Sequence, residues 1–138
     1  MATILVIDDD ADLAAALTVL LEGKGHQVHT ADSGEIGLRR VKETNPDLII
    51  LDVMMDRYTE GFRVAQRLRD TAEDSEYAAY RGVPILVMTA VHRTTSFRFG
   101  PNETSLPVDA FLEKPVSADQ LVATVAQLLS KAPAPQAR

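Results

Sequence analysis

Three uninterrupted apolar runs constrain this chain more than any other feature: Ile4-Leu5-Val6-Ile7, Leu48-Ile49-Ile50-Leu51 and Ile85-Leu86-Val87-Met88. A strand with one face in water alternates apolar and polar residues, and these runs do not. Each is short and bounded by turn signals, which suits a parallel strand covered on both faces. Two weaker candidates, His26 to Ala31 and Val108 to Leu112, are mixed in polarity and suit the edges of the same sheet.

Helical patterns fill the intervals. From Asp12 to Lys24, Leu13, Leu17, Leu20 and Leu21 recur at helical spacing, and Gly23 and Gly25 mark the exit. Ser33 can cap a second helix, although Ile36 stands where a full capping box wants Glu or Gln. Ile36, Leu38 and Val41 give that helix an apolar face, and Asn45-Pro46 ends it. Gly61 to Ala72 carries Phe62, Ala65 and Leu68. Ser117 to Ser130 carries Leu121, Val125, Leu128 and Leu129, with Ser117 as its cap. Strands alternating with helices predict an α/β fold: a doubly wound, five-stranded parallel sheet with helices on both faces. Interior runs one, three and four, with two and five at the edges, give the flavodoxin-like order 2-1-3-4-5. One domain is expected over residues 1–131, followed by a loose tail over 132–138 that holds two prolines and no period.

Composition narrows the chemistry. There is no cysteine, which removes disulfides, thiolate metal sites and cysteine nucleophiles. A formal net charge of -6 argues against a broad basic face for nucleic acid. No apolar run reaches the roughly 18 residues of a membrane helix. Met1 leads straight into a strand-like run without an apolar leader, so a cytoplasmic protein without membrane insertion is expected.

In an open parallel sheet, ligands bind beyond the carboxyl ends of the strands. There the sequence places Asp8-Asp9-Asp10, Asp52, Thr89-Ala90 and Lys114-Pro115. Gathered carboxylates repel one another and call for a cation. All-oxygen ligation suits Mg²⁺ or Mn²⁺. A carboxylate is also a nucleophile toward phosphorus, and an ammonium and a hydroxyl stabilise the charge on the transferred group. Lys114 and Thr89 supply those two.

Five pieces occur in order over about the first 130 positions: Ile4-Leu5-Val6-Ile7-Asp8-Asp9-Asp10, Leu48-Ile49-Ile50-Leu51-Asp52-Val53-Met54-Met55, Gly61-Phe62, Val87-Met88-Thr89-Ala90 and Phe111-Leu112-Glu113-Lys114-Pro115. As an ordered set they resemble the receiver domains of bacterial response regulators. The resemblance implies that Asp8 and Asp9 hold the metal, with Asp9 the direct ligand, and that Asp52 accepts the phosphoryl group. It implies that the backbone carbonyl of Met54 completes the protein's share of the metal sphere. Thr89 would move toward the phosphoryl group, Phe111 would swing inward with it, and Lys114 would pair with the phosphoryl oxygens. The implied protein is a signalling switch and not an enzyme, served by a histidine kinase or phosphotransfer protein and read by a downstream protein.

The sequence departs from that pattern in three places. The loop from Asp52 to Gly61 is one residue longer than usual and has Asp56 where proline is common. The stretch from Arg69 to Pro84 is longer and includes Tyr77 and Tyr80, aromatic residues that ordinarily pack or rim. Between the fourth and fifth strands the usual fourth helix is expected to be short or replaced by a loop, because Gly100, Pro101 and Pro107 interrupt it.

Plainer readings stand beside each site residue. The aspartate run can simply cap a helix, and Asp52 can open a turn. Thr89 can be a cap, Lys114 a solvated strand end and Phe111 core packing. Asp10, Asp12 and Asp56 read as solvated. His26, His29 and His92 lack metal-ligand spacing and read as surface residues. Two other functions share some of the parts: a receiver-fold binding module without phosphorylation, and a haloacid-dehalogenase-type phosphatase with Asp8 as nucleophile. The phosphatase reading leaves Asp52 without a role.

Overall fold

The computed structural model describes residues 2–52, 60–69, 77–80, 82–89, 109–113 and 116–131, with backbone alone for 60–62, 78, 89, 111, 113 and 131. Met54, Asp56, His92, the interval expected to lack a regular fourth helix, Lys114, Pro115 and the tail over 132–138 lie outside the described residues. Five strands form one parallel sheet: β1 (Thr3–Ile7), β2 (Gln27–Ala31), β3 (Leu48–Asp52), β4 (Ile85–Thr89) and β5 (Ala110–Glu113). Their order is β2-β1-β3-β4-β5, as the polarity of the runs implies. Between them run α1 (Ala11–Glu22), α2 (Gly34–Thr44) and α3 (Glu60–Leu68). A 3-10 turn (Ala78–Tyr80) precedes β4, and α4 (Ala118–Lys131) follows β5.

The unbroken apolar runs have a direct structural cause. Side chains alternate across a strand, so each run feeds two cores at once. Ile4, Val6, Leu48, Ile50, Leu86 and Met88 face α1 and α4, meeting Leu17, Leu21, Leu121 and Val125. Leu5, Ile7, Ile49, Leu51, Ile85 and Val87 face the opposite layer, meeting Val41, Val64, Ala65, Leu68, Tyr77 and Tyr80. A polar residue anywhere in a run would be buried in one core or the other. Tyr77 and Tyr80 thus serve as core packing, and the Tyr80 hydroxyl donates to Asn45 Oδ1 at 3.0 Å.

Helix ends follow their sequence signals. Ser33 Oγ accepts from the Ile36 amide at 3.2 Å, and Asn45 closes α2 in the left-handed region at φ 48°. Ser117 Oγ accepts from the Gln120 amide at 3.0 Å. Gly25 leaves α1 at φ +92°, a conformation open to glycine.

Several boundaries differ from expectation: the first helix, expected from Asp12 to Lys24, is Ala11–Glu22. Strand β2 begins at Gln27, because the His26 amide is still bonded to Leu21 O at the helix exit. Strand β5 is Ala110–Glu113, one residue past the expected end at Leu112; Asp109 before it turns its side chain onto β4, and Val108 lies outside the described residues. The described part of the third helix ends at Leu68, and the rest of the Gly61 to Ala72 expectation lies beyond Arg69, outside the described residues.

Candidate metal and phosphoryl site

Parallel register brings the acidic residues together. Ile7 pairs with Leu51, so the residues that follow them, Asp8 and Asp52, leave the sheet at the same level. The Asp8 amide donates to Ala31 O at 3.0 Å, which holds Asp8 at the end of the β1–β2 ladder. Asp8 and Asp52 are the two buried charged side chains among the described residues, each 4% exposed. Asp9 stands exposed beside them. One carboxylate oxygen from each of the three lies within 4.8 Å of the others.

The aspartate run divides its labour. Asp10 is the N-cap of α1: its Oδ1 accepts from the Leu13 amide at 3.1 Å. Asp8 Oδ1 in turn accepts from the Asp10 amide at 2.9 Å, which fixes the turn between strand and helix. The plain reading of the run as a helix cap therefore holds for Asp10. Asp8 and Asp9 are left facing Asp52.

The donor set tests what such a cluster suits. It is all carboxylate oxygen, two of the groups are buried, and among the described residues the histidines join no metal-compatible group. Hard divalent cations with oxygen coordination fit this set. Three carboxylates so close repel, and a bound cation would relieve that repulsion.

Thr89 ends β4 opposite Glu113 of β5, and Phe111 pairs with Val87. Their side chains lie outside the described residues, as do Met54 and Lys114. Backbone register nonetheless carries Thr89 to the end of the sheet where Asp52 sits, since Asp52 pairs with Met88. His26 differs from the surface reading. It is half-buried, and its Nδ1 accepts from the Ala2 amide at 3.2 Å. Nothing in the residue types alone suggested the pair Arg69 and Asp109, whose side chains meet at 2.7 Å across 40 positions.

Residues 4–126 match the family model of the response regulator receiver domain. The chain belongs to the response regulator receiver domain family. Among curated relatives, this receiver domain is similar to transcriptional regulatory protein AfsQ1 of Streptomyces coelicolor, 34% identical over 131 residues, which cover 95% of this chain and 52% of that protein. It is similar also to protein PilH of Pseudomonas aeruginosa, 29% identical over 130 residues, covering 94% of this chain and 99% of that one. The receiver domain thus spans about half the length of the first relative and nearly all of the second. Among solved structures, a two-component response regulator from Clostridium difficile matches with a TM-score of 0.76 at 25% identity, over 95% of this chain and 98% of the other. Receiver domains are the signal-receiving part of phosphorelays, and the assignment favours a signalling switch over the phosphatase reading. The cluster agrees, because Asp52 stands in it with Asp8.

Proposed function

We propose that this receiver domain accepts a phosphoryl group from a kinase or phosphotransfer-protein phosphohistidine onto Asp52, with a divalent cation, Mg²⁺ or Mn²⁺, held by Asp8, Asp9 and Asp52. The observation that carries the reading is the convergence of those three carboxylates within 4.8 Å at one end of the sheet. A carboxylate oxygen of Asp52 forms the new bond to phosphorus as the bond from phosphorus to the donor nitrogen breaks, leaving an acyl phosphate and a free imidazole. The cation supplies positive charge against the phosphoryl oxygens when bound. The backbone carbonyl of Met54 completes the protein's ligand set.

Lys114 pairs with the phosphoryl oxygens, and the Thr89 hydroxyl donates to one of them. Phosphorylation adds about -1.5 to -2 charges at Asp52. Thr89 and Phe111 then shift and change the surface that a downstream protein reads. The same site also promotes loss of the phosphoryl group to water. The working unit is residues 1–131, with 132–138 as a tail. The site of action is the cytoplasm; among the described residues, no helix is long and apolar enough to cross a membrane.

Intact mass after incubation with acetyl phosphate and Mg²⁺ tests the proposal. Wild type should gain one phosphoryl group, and Asp52→Asn or added EDTA should prevent the gain. A gain that persists in Asp52→Asn overturns the assignment of the nucleophile. No gain in wild type, with phosphodonor and metal in excess, would favour a binding module that is never phosphorylated.

A further inference from the structure

The fifth strand poses a problem of register. It has four residues, lies at the sheet edge and pairs with β4 alone. Short edge strands are weakly held in register, and a slip of one residue turns every side chain to the other face. Leu112 would then leave the core it shares with Leu121 and Val125. Glu113 would also leave its place opposite Thr89 at the end of the sheet.

One residue resists that slip. The Asp109 amide donates to Ile85 O at 3.0 Å, and Asp109 Oδ2 accepts from the Ile85 amide at 2.8 Å. Both main-chain polar groups of the first β4 residue are thus bonded to Asp109. The same Oδ2 accepts from Arg69 Nη2 at 2.7 Å, so the end of α3 holds the carboxylate in place. Arg69 is mostly buried, with a side chain 19% exposed, and its buried Nη1 has no hydrogen-bond partner among the described residues. Its partner Asp109 has a side chain 42% exposed, so solvent screens the pair and its charge adds little stability. Its effect is to fix where the Asp109 carboxylate points.

We infer that Asp109 and Arg69 are positioning residues for phosphoryl transfer, setting the register of β5 and through it the place of Lys114, the residue after the strand. The inference rests on the proposed role of Asp52 and Lys114. The metal carboxylates come from the turn after β1 and from the end of β3, neither of which the bonds of the pair described above reach. Phosphoryl transfer should therefore depend on the pair while metal binding does not.

The test uses the full chain as wild type, Asp109→Asn, Arg69→Met, Lys114→Ala and the double variant Asp109→Asn/Lys114→Ala. Asparagine keeps an oxygen for the Ile85 amide but removes the charge that faces Arg69, and methionine removes the cation that holds the Asp109 carboxylate, so each variant breaks the ion pair by a different route. Phosphorylation rates at saturating acetyl phosphate come from intact mass, and Mg²⁺ affinity from calorimetry. Asp109→Asn and Arg69→Met should each lower the maximal rate about tenfold, as expected for a misplaced reacting group, and leave Mg²⁺ affinity within about twofold. In the Lys114→Ala background, Asp109→Asn should change the rate by less than about twofold, since coupled residues do not add. Unchanged rates in both single variants overturn the inference. So does a full tenfold loss on top of Lys114→Ala, or a matching loss of Mg²⁺ affinity, because either marks general destabilisation. Absence of any phosphoryl gain in wild type is a different result: it removes the assignment to Asp52 on which the inference rests.

Discussion

At the residue scale, Gly37 of α2 lies tight against Ile7 of β1. A Cβ built on Gly37 would lie 2.6 Å from Ile7 Cδ1 and 2.8 Å from Cγ1. Ile7 is fully buried, so its side chain has little room to yield. Alanine in a helix interior gains about 1 kcal/mol over glycine, while overpacking a core costs about 1–3 kcal/mol. The clash should win: Gly37→Ala is expected to lower the urea midpoint without changing the slope, and adding Ile7→Val should recover part of the loss. His26 offers a test in pH. Burial lowers its pKa from the ordinary value, and the bond from the Ala2 amide needs an unprotonated Nδ1. A group whose folded pKa is depressed adds stability above its unfolded value and loses it as pH falls. Melting temperature should therefore fall more for wild type than for His26→Gln between pH 7.5 and the acid side of about 6.5, the ordinary histidine pKa. Parallel curves would mean that the Ala2 contact contributes nothing.

At the element scale, α2 is fixed at both ends by side-chain oxygens. Ser33 holds the start, and Asn45 ends the helix in a left-handed conformation that also presents its amide oxygen to the Tyr80 hydroxyl. The 3-10 turn before β4 is thereby tied to the end of α2. Asn45→Ala forces a side chain ill suited to φ 48° and removes the acceptor, for an expected loss of about 2–3 kcal/mol. Tyr80→Phe removes only the hydrogen bond, for about 1 kcal/mol. Chemical denaturation of the two variants separates backbone strain from the bond. Equal losses would show that the left-handed turn carries no cost of its own. Ser33→Ala should cost about 1 kcal/mol as the loss of one cap.

At the scale of the whole molecule, two buried carboxylates and a third beside them repel one another, and a bound cation would relieve that repulsion. Mg²⁺ that binds only the native state adds about 2.7 kcal/mol at a hundredfold excess over its dissociation constant. Melting temperature should rise with millimolar Mg²⁺. Asp9→Ala should abolish that rise and leave the metal-free protein more stable than wild type. Equal melting of the wild type with and without Mg²⁺ would remove the cluster as a metal site.

Much of this architecture was legible in the chain because its causes are local. Three apolar runs without alternation require strands covered on both faces, and that requirement set the sheet order and the helices on either side. Asp8, Asp9 and Asp52 could be placed together because residues that end adjacent parallel strands must meet at one edge. Other features needed the tertiary structure, because their partners are remote in sequence. Which aspartate of the run would cap α1 depended on where β1 stopped. The need for glycine at position 37 came from the approach of Ile7, 30 positions away. The hold of Asp109 on Ile85, and of Arg69 on Asp109, spans 24 and 40 positions. Propensity and periodicity describe neighbours along a chain, whereas these contacts exist only once the sheet has closed its register and α3 has packed against it.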